Sequence, residues 1–143
     1  MPYRYLEDIA IADAAFEAWG GSVEEMLITA ASATLNIMVG DLSAIRLREY
    51  RHLRIEDPQL DMLLFQFLQE LVYYKDAEQL LLLAQNVRVE ENEKGWTAWF
   101  EVAGEPIDPQ RHDLIVDIKA VTLHRLSVKK TAEGWSATVI VDV

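Results

Sequence analysis

The feature that most limits how this chain can fold is a turn, Glu91-Asn92-Glu93-Lys94-Gly95, set between two strand-like runs at 80–90 and 96–102. A Gly-containing polar turn between such runs closes a hairpin, so the runs return on each other as antiparallel neighbours. A second turn, 129–134, leads into a last strand at 135–143. There Trp135, Ala137, Val139 and Val141 alternate with Thr138, Ile140 and Asp142, which places the two sets on opposite faces. Residues 3–6 and 14–19 read as short strands, with Gly20-Gly21 as the turn after them. Residues 42–55 are strand-like, with Ile45, Leu47, Leu53 and Ile55 on one face and Arg46, Arg48, His52 and Arg54 on the other.

Two segments break this period. Residues 22–39 read as a helix: Ser22 and Glu25 form a capping box, and Gly40 is the expected C-terminal stop. Val23, Leu27, Ala30, Thr34 and Met38 fall at core-facing spacing, and the small residues at 30–33 allow close approach to a sheet. Asp57-Pro58 is expected to open a second helix, with Asp at the cap and Pro at the first helical position, running to about Lys75. Leu60, Leu64, Leu68, Leu71 and Val72 make one apolar stripe, and Met62, Phe65, Gln69 and Tyr73 a second. A helix apolar on two sides is sandwiched in the core or offers a face to a partner. The expected fold is therefore α+β: one domain over 1–143, mostly antiparallel sheet, with two main helices packed on it.

Composition removes several classes of function. The 143 residues include no Cys, so there is no disulfide framework and no thiolate metal site. No run of 18 uncharged apolar residues exists, so no membrane span is expected, and no signal peptide is read at Met1-Pro2-Tyr3-Arg4; the expected location is the cytoplasm. The net charge of −11 disfavours direct nucleic-acid binding and suits a cation or a basic partner. There is no phosphate-binding Gly loop and no nucleophile elbow, and His52, His112 and His124 lack zinc-ligand spacing.

The residues left to explain are polar groups in apolar strands. The stretch GEPIDPQRHDLIVDIKAVTLH, 104–124, opens as a turn at Gly104, Pro106 and Asp108-Pro109 and reads as a strand over 115–123. Asp117 and Lys119 share one face of that strand and Val116, Ile118 and Ala120 the other, which makes a surface Asp117–Lys119 ion pair or a polar site on a rigid strand. Asp13 follows Glu7 and Asp8 among small apolar residues, and Asp142 interrupts the last strand. Oxygen donors of this kind suit Ca²⁺ or Mg²⁺.

In order along the chain, Ile11-Ala12-Asp13 with the strand to Trp19-Gly20, SVEEMLITAASATLNIM, LLFQFLQELVYYKDAE, GEPIDPQRHDLIVDIKAVTLH and the ending GWSATVIVDV resemble the archease family. The most specific parts are DPQRH followed by IKAVTLH, and the final Asp142-Val143. The resemblance implies a non-enzymatic protein cofactor of the RtcB-type RNA ligase of tRNA splicing and repair. Such a cofactor promotes guanylylation of the ligase by GTP and so repeated turnover; GTP and Mn²⁺ belong to the ligase. It implies a site for Ca²⁺, or another divalent cation, made by Asp13, Asp142 and a carbonyl at Val143, with Lys119 acting in activation. A related reading is a chaperone or modulator of a tRNA methyltransferase. A reading from another class is a stand-alone metal-dependent hydrolase built on Asp13, Asp142 and a nearby His. The sequence departs from the family at 8–13, which is about two residues longer than the usual His-Thr-Ala-Asp segment and lacks its His. It departs again at Leu123, where the family has Tyr.

Overall fold

In the computed structural model, residues 2–7 and 13–143 are described; the longer segment at 8–12 lies outside the described residues. Among the described residues, eight strands and two main helices follow in the order β1 (Tyr3–Leu6), β2 (Asp13–Gly20), α1 (Val23–Met38), β3 (Glu49–Asp57), α2 (Leu60–Glu78), β4 (Leu80–Asn92), β5 (Gly95–Pro106), β6 (Ala120–Val121), β7 (Ser127–Thr131) and β8 (Gly134–Asp142), with one 3-10 turn at Leu42–Ala44 between α1 and β3. The hairpin inferred from the 91–95 turn is the β4–β5 pair, and β3 adds to its other side to give the order β3-β5-β4. The other sheet runs β1-β2-β8-β6, and β7 also pairs with β8. Every pairing is antiparallel.

Helix α1 lies against β2 and β8 on one side and against β4 on the other, which is why Met26, Leu27, Ala30, Ala31, Ala33, Leu35 and Met38 are all buried. Its start is as expected: Ser22 Oγ accepts from the Glu25 amide, and Glu25 Oε2 accepts from the Gly21 amide. Helix α2 packs across β3, β4 and β5 and reaches β6. Its first stripe is buried throughout, and Phe67 stacks on Phe100 of β5 with ring centroids 3.9 Å apart. The second stripe is half-buried and ends in exposed Tyr73, so it is the outer side of the helix. No helix among the described residues is long and apolar enough to cross a membrane.

The structure corrects these local expectations, each for a stated reason. Helix α1 does not end in a left-handed glycine. Val39 is extended and bridges Leu114, and the Gly40 amide donates to Asp113 O, so a passing segment captures the helix end. The strand expected from residue 42 starts only at Glu49, because Asp41 caps the 3-10 turn through Ser43. Asp57 still pairs with Trp96 in the sheet, and its carboxylate accepts from the Gln59 amide and Gln66 Nε2; the helix cap falls on Gln59, and α2 runs on to Glu78 before a left-handed Gln79. Gly104 lies inside β5 and opens no turn. A Cβ there would sit 1.6 Å from Leu81 O, so glycine lets β4 and β5 approach.

The largest departure is at 115–123, where only Ala120–Val121 is strand. The preceding residues direct their backbone to other elements. The Ile115 amide donates to Met38 O, Ile118 O accepts from Lys75 Nζ, and the Lys119 amide donates to Asp142 O. Faces do not alternate as expected either: Ile118 is buried while Val116 is exposed.

Candidate metal and partner-activation site

Strands β2 and β8 run in register from Gly20 opposite Trp135 to Asp13 opposite Asp142. Two residues from near opposite ends of the sequence thereby become direct cross-strand neighbours. Side chains so placed share a face, with Cβ atoms about 4.5–5.5 Å apart. Both aspartates are half-buried. Two like charges set directly opposite each other are destabilising, and among the described residues neither carboxylate forms an ion pair with a basic side chain. On the far side of Asp142, Ala120 of β6 is its ladder partner and the Lys119 amide donates to its carbonyl at 2.8 Å. Lys119 itself is exposed. The arrangement brings Asp13, Asp142, Val143 and Lys119 to one end of the five-stranded sheet.

The donor chemistry fits a hard divalent cation. Carboxylate oxygens from Asp13 and Asp142, with a carbonyl at Val143, would hold it, and the ion would relieve the repulsion between the two aspartates. Among the described residues no group of three or more His, Asp or Glu side chains gathers into a fuller cage. Such a site leaves room for ligands from elsewhere, and a bound cation there would supply a charge that attracts phosphate oxygens.

The other polar group expected on the central strand sits elsewhere. Asp117 does not pair with Lys119. Its Oδ1 lies 2.5 Å from Nζ of Lys75, in the last turns of α2. Lys75 is buried, and its ammonium also reaches Asp76 Oδ1 at 2.5 Å and Ile118 O at 2.7 Å. Burial alone would lower its pKa, but hydrogen bonds and charge from Asp117 and Asp76 outweigh that and raise it, so the ammonium is kept. Lys75 was not singled out from sequence. The signal was present: it follows Leu68, Leu71 and Val72 at helical spacing, so it continues the buried stripe, where an ammonium needs a partner.

The DPQRH turn forms a second buried network, with a structural task. Glu105 is 1% exposed. It accepts from the Arg46 amide at 2.8 Å, from Arg111 at 2.5 Å and from His112 Nε2 at 2.8 Å. Because His112 Nδ1 accepts from the Asp108 amide, the proton is on Nε2 and the ring donates to Glu105. The Arg111 guanidinium, against the opposing effect of burial and with help from Arg46 and His112, holds the Glu105 pKa down at about 2. His112 is thus committed to a fold contact. His52 stands on β3 of the three-stranded sheet, 3.6 Å from Glu101, and exposed His124 follows Thr122 in the loop after β6.

Comparison with known proteins agrees with this architecture. The Archease protein family (MTH1598/TM1083) matches residues 3–143. The protein archease of Methanopyrus kandleri is 32% identical over 143 residues, covering 100% of both chains. That of Methanosarcina mazei is 35% identical over 144 residues, covering 99% of this chain and 95% of the relative. The solution structure of protein 1598 from Methanobacterium thermoautotrophicum superposes with a TM-score of 0.84 at 29% identity, over 99% of each chain. The crystal structure of an archease from Thermotoga maritima, there described as a possible chaperone, shares the fold with a TM-score of 0.58 at 19% identity.

Proposed function

The chain belongs to the archease family, and from that premise we propose that it is a protein cofactor of an RtcB-type RNA ligase, promoting GTP-dependent guanylylation of the ligase and its repeated turnover. The observation that carries this reading is the pairing of Asp13 with Asp142, with the backbone of Lys119 bonded to that same Asp142. Two carboxylates and one ammonium at the end of a rigid sheet make a compact polar head. Asp13, Asp142 and Val143 hold a divalent cation, of which Ca²⁺ suits the oxygen donors. Lys119, exposed beside them, offers a mobile positive charge to a phosphate. The head acts inside a partner's nucleotide site, where groups already fixed in position lower the cost of ordering a triphosphate. GTP and the ligase's own Mn²⁺ come from the partner.

Against the hydrolase alternative, His112 is bonded to Glu105 and the Asp108 amide and so is not free to act as a base. The test is multiple-turnover RNA ligation by the cognate ligase with GTP and Mn²⁺, with and without this protein. Stimulation by the wild type, lost in Asp13→Asn and in Lys119→Ala, is the expected result. A folded wild type that leaves the ligase at a single turnover overturns the reading.

A further inference from the structure

Lys119 carries a long, flexible side chain and lies in a stretch with little regular structure. Something must fix where it starts. The peptide unit joining Ile118 to Lys119 is held at both of its polar atoms. Its carbonyl, Ile118 O, accepts from Lys75 Nζ at 2.7 Å, and its N–H, on Lys119, donates to Asp142 O at 2.8 Å. A peptide unit is planar and rigid. Gripping its two ends therefore sets the plane, and with it the position of the Lys119 Cα from which the side chain leaves. The same ammonium also holds Asp117, two residues before Lys119, at 2.5 Å.

A last-turn lysine ordinarily favours its own helix's C-terminal carbonyls. The Lys75 ammonium instead reaches across to the 117–118 segment. The buried Ile118 side chain anchors the segment in the core, but an apolar anchor gives no direction to a peptide plane. Gln69 of α2 adds a second tie from the same helix, with its Oε1 accepting from the Val121 amide at 2.8 Å.

We propose that Lys75 is the positioning residue for Lys119: by holding the 118–119 peptide against Asp142, it makes the lysine and the aspartate pair one site. The proposal rests on the activator reading above. It places Lys75 behind the site, without contact to the partner's substrates.

The test uses the full chain with the cognate ligase, titrating wild type, Lys75→Met and Lys119→Ala. Lys75→Met is expected to lower the plateau of stimulation by about tenfold or more, as a misplaced group does, while leaving the half-saturating concentration close to wild type. In the absence of ligase, amide exchange at Lys119 is expected to speed up in Lys75→Met while the β2–β8 ladder stays protected. A folded Lys75→Met that reaches the wild-type plateau overturns the proposal. If Lys75→Met does not fold, Asp117→Ala decides in the same assay, because that side chain is 66% exposed: a lowered plateau supports the grip and a wild-type plateau overturns it. A wild type that gives no stimulation, with Lys119 exchange still controlled by Lys75, overturns the ligase reading while leaving the geometric one standing.

Discussion

Glu105 is a carboxylate with three donors and almost no water, and its protonation couples directly to stability. Its folded pKa is about 2 against an ordinary 4.5. A carboxyl whose pKa is depressed on folding contributes stability that is fully present above the unfolded value and is lost as pH falls through the folded one. The Tm gap between wild type and Glu105→Gln should therefore be widest above pH 4.5 and narrow as pH falls toward 2. Glu105→Ala, which leaves the half-buried Arg111 and the buried His112 donors facing a gap, is expected to cost roughly 3–5 kcal/mol by chemical denaturation. At the aspartate pair the expectation is opposite in sign without metal. Asp142→Asn removes a like-charge contact, so metal-free stability should hold or rise slightly, while calorimetric Ca²⁺ binding is lost.

The elements show where sequence was informative and where it was not. The hairpin β4–β5, the capped start of α1 and the buried stripe of α2 follow from local chemistry: a polar Gly turn, a Ser-to-Glu box and a helical period. Their partners are within a few residues, so the pattern carries them. The 115–123 segment has strand-forming residues, yet its hydrogen bonds go to Met38, Lys75 and Asp142, all remote in sequence. No local pattern encodes those bonds, and tertiary contacts overrode the propensity. Asp13 and Asp142 stood out as polar breaks in apolar strands, but their direct opposition depends on the β2–β8 register, which only the folded sheet determines. Gly104 illustrates the same limit. It looked like a turn residue and is instead a place where β5 meets the Leu81 carbonyl. Gly104→Ala is expected to destabilise the protein by about 1–3 kcal/mol or more and to broaden amide signals along β4–β5, measured by denaturant melts and NMR.

At the scale of the whole molecule, the proposed cation site belongs to the folded state alone, because its two carboxylates are far apart in the unfolded chain. A ligand that binds only the folded form stabilises it by mass action, about 2.7 kcal/mol at a hundred times its Kd. Ca²⁺ should therefore raise the Tm of the wild type by several degrees and leave that of Asp13→Asn unmoved, a comparison made by differential scanning fluorimetry with chelator controls. The net charge of −11 also predicts that association with a basic partner weakens as ionic strength rises.

The ladder between β2 and β8 has one more consequence, for the timing of synthesis. A chain still emerging from the ribosome can close the β4–β5 hairpin and begin to bury both helices. Asp13 nevertheless waits without its counterpart until β8, the last strand, has been made and has docked. Contacts so distant in sequence form late. Nascent or cut-short copies thus keep Asp13 but lack Asp142, and with it both the acceptor of the Lys119 amide and the second half of the aspartate pair.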